Sequence, residues 1–173
     1  MIRVLSASKR DKEKLKSLHI NPRVLRKEFA HYAGLVIKKP WGYEYLVLEN
    51  EQVAVWVLHI QHGFQTSLHC HPNKTTSLTV LDGQALCSTL MSKVVVQPGR
   101  GLLIGKGVFH STYALSPNGV IVMETETPNN KHDLVRLNDK YGREGKGYEG
   151  KESHVAPDML DYMNLKSFHE PEG

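Results

Sequence analysis

The chain has 173 residues, 40% of them apolar and 23% charged, and a formal net charge of +4: enough for one buried core, too little for two, and too apolar for a chain whose main state is disorder. The start, "MIRVLSASKRDKEKLK", lacks the apolar stretch of a secretory leader, and no run reaches the roughly eighteen apolar residues of a membrane span. A cytoplasmic protein without membrane contact is therefore expected. Cys70 and Cys87 lie in or near predicted strands and imply no disulfide framework. The excess charge is local: between Lys9 and Glu28 eight Lys/Arg stand against three Asp/Glu, the pattern of a solvated helix face rather than a nucleic-acid surface.

In chain order, residues 8–20 predict a helix with Leu15 and Leu18 as a thin apolar stripe. A second helix follows, capped by Asn21 and opened by Pro22, with Val24, Leu25, Phe29 and Tyr32 at helical spacing before Gly34. Residues 1–34 thus read as a helical N-terminal arm, its simplest role being to cover a sheet edge or form a dimer contact. From Leu35 the period changes to two. Short strands are predicted at 52–60, 76–81, 84–90, 94–96, 101–104, 108–113 and 120–126, punctuated by turns at Asp82-Gly83, Pro98-Gly99 and Pro117-Asn118-Gly119. Many short strands with little helix between them indicate an all-β sandwich or barrel over residues 35–128. Residues 129–173 form a polar, Gly-rich extension that packs on the barrel or stays partly flexible, with one helical turn at "DMLDYM" (158–163).

Within "GFQTSLHCHPNKTTSLTVLDGQA" (63–85), His69 and His71 are two apart on a strand-like stretch, so they project together while Cys70 points away. His110 lies on a later strand, reached through glycines at 99, 105 and 107 that permit tight turns. Three histidines on the inner face of a barrel can hold a divalent metal and leave positions open for water or substrate. The spacing of Gly63, His69-Cys70-His71 and Gly83, then Gly99, Gly105-Lys106-Gly107 and His110, resembles the two motifs of the cupin superfamily. That resemblance implies a jelly-roll β-barrel with a metal in its mouth. A narrower likeness over residues 38–143, carried by "KKPWGYEYLV", "VIVMETET" and "DLVRLNDKYGR", resembles the cupin domain of type II mannose-6-phosphate isomerases and implies a phosphorylated or nucleotide-linked sugar as ligand. The Glu that the cupin pattern expects as fourth ligand falls at Thr76.

An aldose-ketose isomerase needs an electrophile, a base and a phosphate anchor. A metal on His69, His71 and His110 would supply the first, zinc being the first choice and iron, manganese or nickel the others. Glu124 is the candidate base and shares a strand face with Glu126, a candidate substrate-binding residue. Lys74, Arg136 and Arg143 are candidate phosphate partners, Lys74 standing closest to the chemistry. The expected protein is a metal-dependent, isomerase- or epimerase-like cupin, a homodimer with no nucleic-acid partner. Two alternatives start from Thr76: a three-histidine Fe(II) dioxygenase, or a cupin that binds a small molecule without turning it over.

Overall fold

Alternation sorts the side chains of this chain between two faces. In the strand Val120–Thr127, residues 120, 122, 124 and 126 are buried and those between them partly exposed. A computed structural model describes residues 2–20, 32, 34–148 and 153–155. Its elements are β1 (Ile2–Leu5), α1 (Lys9–Ser17), β2 (Val36–Lys39), β3 (Gly42–Glu49), β4 (Ala54–Ile60), β5 (Leu68–Cys70), β6 (Thr75–Asp82), β7 (Ala85–Thr89), β8 (Lys93–Val96), β9 (Gly101–Ile104), β10 (His110–Ala114), β11 (Val120–Thr127), β12 (Val135–Asn138) and β13 (His154–Val155).

The strands form two sheets, an eight-stranded one in the order β1-β9-β6-β11-β4-β3-β2-β13 and a five-stranded one in the order β12-β5-β10-β7-β8. Between them lies an apolar core that includes Trp56, Ile60, Val80, Ile104 and Val122. This is a jelly-roll-like sandwich, and the expected barrel is corrected in one respect: the sheets do not close. The edges of the larger sheet are β1, running parallel on β9, and β13, pairing with β2. The predicted strands recur with small shifts of boundary, and the three turns read from Gly83, Gly99 and Gly119 all have positive φ at those glycines. Among the described residues no helix is long and apolar enough to cross a membrane.

The N-terminal region departs from the expected arm. It opens with a strand rather than a helix, and its helix α1 spans nine residues. The second helix, expected from Asn21, and the turn at 158–163 lie outside the described residues. α1 starts at Ser8, whose hydroxyl accepts from the Asp11 amide at 3.2 Å while Asp11 Oδ2 accepts from the Ser8 amide at 2.8 Å, a reciprocal cap. The other Asp11 oxygen accepts from the amide of Phe109 at 3.1 Å. Leu15 packs with Phe109 and Cys70, so α1 sits behind the segments that carry the histidines. Gly107, at φ +74°, turns the chain so that its amide donates to the His71 carbonyl at 2.8 Å, bringing the approach to His110 alongside His71.

Replacing Asp11 by Ala removes the cap and strips the buried Phe109 amide of its acceptor. The unfolding free energy is expected to drop by about 2–4 kcal/mol, read as a lower urea midpoint; an unchanged midpoint would dismiss this tether.

Candidate metal centre

The three histidines predicted from the sequence come together. His69 lies on β5, His71 follows its end, and His110 opens β10, paired in register with His69. One ring nitrogen from each falls within 4.8 Å of the others, and the ring centroids are 4.4–5.6 Å apart. Cys70 between them is fully buried on the opposite side, against Leu15 and Phe109.

Each ring is oriented by a backbone carbonyl. Nδ1 of His69 donates to Ser67 O at 2.8 Å, that of His71 to Asp133 O at 2.6 Å, and that of His110 to Val108 O at 2.9 Å. A carbonyl can only accept, so each Nδ1 carries the proton and each Nε2 keeps its lone pair. Burial, reinforced by nearby positive charge, holds His69 and His71 well below the ordinary histidine range and His110 at about 4. Three neutral imidazoles with oriented lone pairs are the donor set a divalent metal takes, so the residues present fit one.

The histidines share a cavity of about 60 Å³, room for roughly four to six waters, with a buried chain of charges. Lys39 Nζ lies 3.3 Å from Glu44, Glu44 lies 3.3 Å from Lys131, Lys131 lies 3.3 Å from Glu126, and Lys74 closes the series at 2.7 Å from Glu126. Lys131 also sits 3.8 Å over the Trp56 ring, and the Tyr148 hydroxyl donates to Glu44. Burial pushes the Glu44 carboxyl up, but Lys131, Lys39 and Tyr148 outweigh it and hold it at about 2. Glu126 is opposed by burial and held below the ordinary range by Lys131 and Lys74. Glu124, one turn of the pleat away, is instead pushed up to about 7 by burial and by the charge of Glu126. One oxygen each of Glu124 and Glu126 lies within 4.8 Å of a His71 ring nitrogen.

The other expected residues line the same cavity in engaged states. Arg136 donates to the carbonyls of Lys146 (2.8 Å) and Gly147, and Arg143 makes a two-point contact with Asp139 at 2.7 and 3.0 Å. Asp133, from the stretch that suggested a sugar ligand, ties the loop after β11 to the histidine motif: its side chain accepts from the amides of Asn73 and Lys74, both at 2.9 Å. Sequence reasoning passed over Lys39, Glu44 and Lys131. For Glu44 the signal was available, since it stands within a β-periodic run; for Lys131, in a polar loop, there was none.

A sequence profile described as Cupin matches residues 33–139, and the chain belongs to the cupin family. No curated protein sequence matches it. Among solved structures, an uncharacterized conserved protein with a double-stranded β-helix domain from Klebsiella pneumoniae aligns at 19% identity and TM-score 0.50, over 65% of this chain and 90% of that one. DMSP lyase DddQ from Ruegeria pomeroyi aligns at 16% identity and TM-score 0.50, over 54% and 50%. A mutant oxalate decarboxylase from Bacillus subtilis, an enzyme with Mn(II) centres, aligns at 17% identity and TM-score 0.52, over 59% of this chain and 29% of that one. At such identities the likeness is one of fold.

The Glu44 ion pairs give an acid limit. A carboxyl held at about 2, below its ordinary 4.5, contributes stability that is complete above pH 4.5 and lost as pH falls from there toward 2. The urea midpoint of the parent should fall across that window, and that of Glu44→Gln, lower at neutral pH, should fall less; parallel profiles would assign the acid sensitivity elsewhere.

Proposed function

We propose that this cupin is a divalent-metal enzyme that moves a proton between neighbouring carbons of a small phosphorylated sugar, as in aldose-ketose isomerisation or epimerisation. The observation that carries the reading is the cavity itself, where the histidine triad faces an acid-base carboxyl, Glu124, and the ammonium groups of Lys74 and Lys131. A cation held by His69, His71 and His110 would polarise a substrate carbonyl and its adjacent hydroxyl.

The remaining work falls to the chain. Glu124, a carboxyl near 7, is suited to take a proton from the carbon beside the carbonyl and return it to the neighbouring carbon. The ammonium of Lys74, 2.7 Å from Glu126, places positive charge where negative charge develops on the substrate oxygens. Arg136 and Arg143, held by Lys146, Gly147 and Asp139, are candidate phosphate partners at the cavity wall. The likeness of "KKPWGYEYLV" and "DLVRLNDKYGR" to type II mannose-6-phosphate isomerases supports the same class. One oxygen each of Glu124 and Glu126 within 4.8 Å of a His71 ring nitrogen supports this reading over the three-histidine dioxygenase that starts from Thr76.

Sugar phosphates incubated with Zn- or Mn-loaded protein in deuterated water should gain deuterium beside the carbonyl, seen by NMR. Glu124→Gln is expected to lower that exchange about 100-fold or more while keeping ligand-induced thermal stabilisation. Stabilisation without exchange in the parent would make it a binding cupin; oxygen uptake by the Fe(II)-loaded protein would make it a dioxygenase.

A further inference from the structure

Thr76, at the position where the cupin pattern has a carboxylate, is the register partner of Glu126 across the β6-β11 ladder. Residues directly opposite in an antiparallel pair share a face, with Cβ atoms about 5 Å apart. Both are buried, at 0% and 1% exposure, and the Thr76 hydroxyl, Glu126 Oε2 and His71 Nε2 have no hydrogen-bond partner among the described residues. Buried polar atoms without partners are costly unless something satisfies them, and His71 and Glu126 both line the cavity. Glu126 is already held in a suitable pose, because Lys74 and Lys131 both bind its Oε1. That leaves Oε2 without a partner among the described residues, and one Glu126 oxygen lies within 4.8 Å of a His71 ring nitrogen.

The geometry points to a carboxylate ligand moved across the ladder: Glu126 on β11 takes the place left by Thr76 on β6, so that the metal is held by His69, His71, His110 and Glu126. This rests on the histidine triad being a metal centre. The site is then of the three-histidine, one-carboxylate kind, with Thr76 beside the carboxylate as a hydroxyl neighbour. Glu124 stays outside the ligand set and free for proton transfer. The exchange also accounts for Lys74 and Lys131: a ligand carboxylate needs its second oxygen satisfied, and both ammonium groups contact Oε1.

The test is metal affinity, measured with Zn(II) against a chromophoric chelator, together with the visible spectrum of the Co(II)-loaded protein. Glu126→Gln is expected to weaken Zn(II) binding at least tenfold and to shift the Co(II) bands, whereas Glu124→Gln leaves both within about threefold of the parent. A His69→Ala, His110→Ala variant that still bound Zn(II) as the parent does would overturn the metal centre itself. Loss of binding there with unchanged affinity and spectrum in Glu126→Gln would overturn only the ligand exchange. Should Glu126→Gln not fold, a crystal structure of the Zn-loaded parent decides: Glu126 Oε2 at about 2.0–2.2 Å from the ion supports the exchange, and a water in that place overturns it.

Discussion

Three backbone carbonyls govern what the centre of this protein can be. By accepting Nδ1–H from His69, His71 and His110, the carbonyls of Ser67, Asp133 and Val108 choose the tautomer of every ring and turn the lone pairs inward. Two of the three acceptors lie two residues before the ring they orient. The third comes from Asp133, 62 residues further along the chain, and through it the loop after β11 becomes part of the site. The Asp133 side chain grips the amides of Asn73 and Lys74, so His71 and Lys74 are placed by the same residue that anchors the loop bearing Lys131.

Around this centre the protein keeps charges that a core ordinarily excludes. Lys39, Glu44, Lys131, Glu126 and Lys74 are tolerated because each touches an opposite charge. Such a chain adds little net stability, since the cost of burying ions offsets most of their attraction. Its effect is to hold carboxylates in opposite states within one cavity, Glu44 and Glu126 ionised and Glu124 near neutral pH in its titration. Fixed charge and a titratable carboxyl side by side are the arrangement that acid-base chemistry uses.

Much of this was legible in the sequence where local rules act. The period-two patterns of β4, β6 and β11 and the glycines of their turns located the central strands, and the parity of Val122, Glu124 and Glu126 put both carboxylates on one face, where the structure buries them. Where tertiary contacts decide, the reading failed. "IRVL" carries no turn signal and becomes β1 only because β9 offers it an edge. "VRLN", between polar stretches, becomes β12 by pairing with β5. Charged residues such as Lys39 and Lys131 read as solvated because burial of a cation depends on partners that are remote in sequence. The chain shows Thr76 where a carboxylate is expected, and only the register of β6 on β11 shows that Glu126 faces it.

The parallel pairing of β1 on β9 has a temporal side. Ile2 pairs with Gly101, so β1 is synthesised roughly 5–20 s before its ladder partner at ordinary rates of synthesis. During that interval β1 has no ladder to join, and α1, whose Asp11 accepts from Phe109, has no dock.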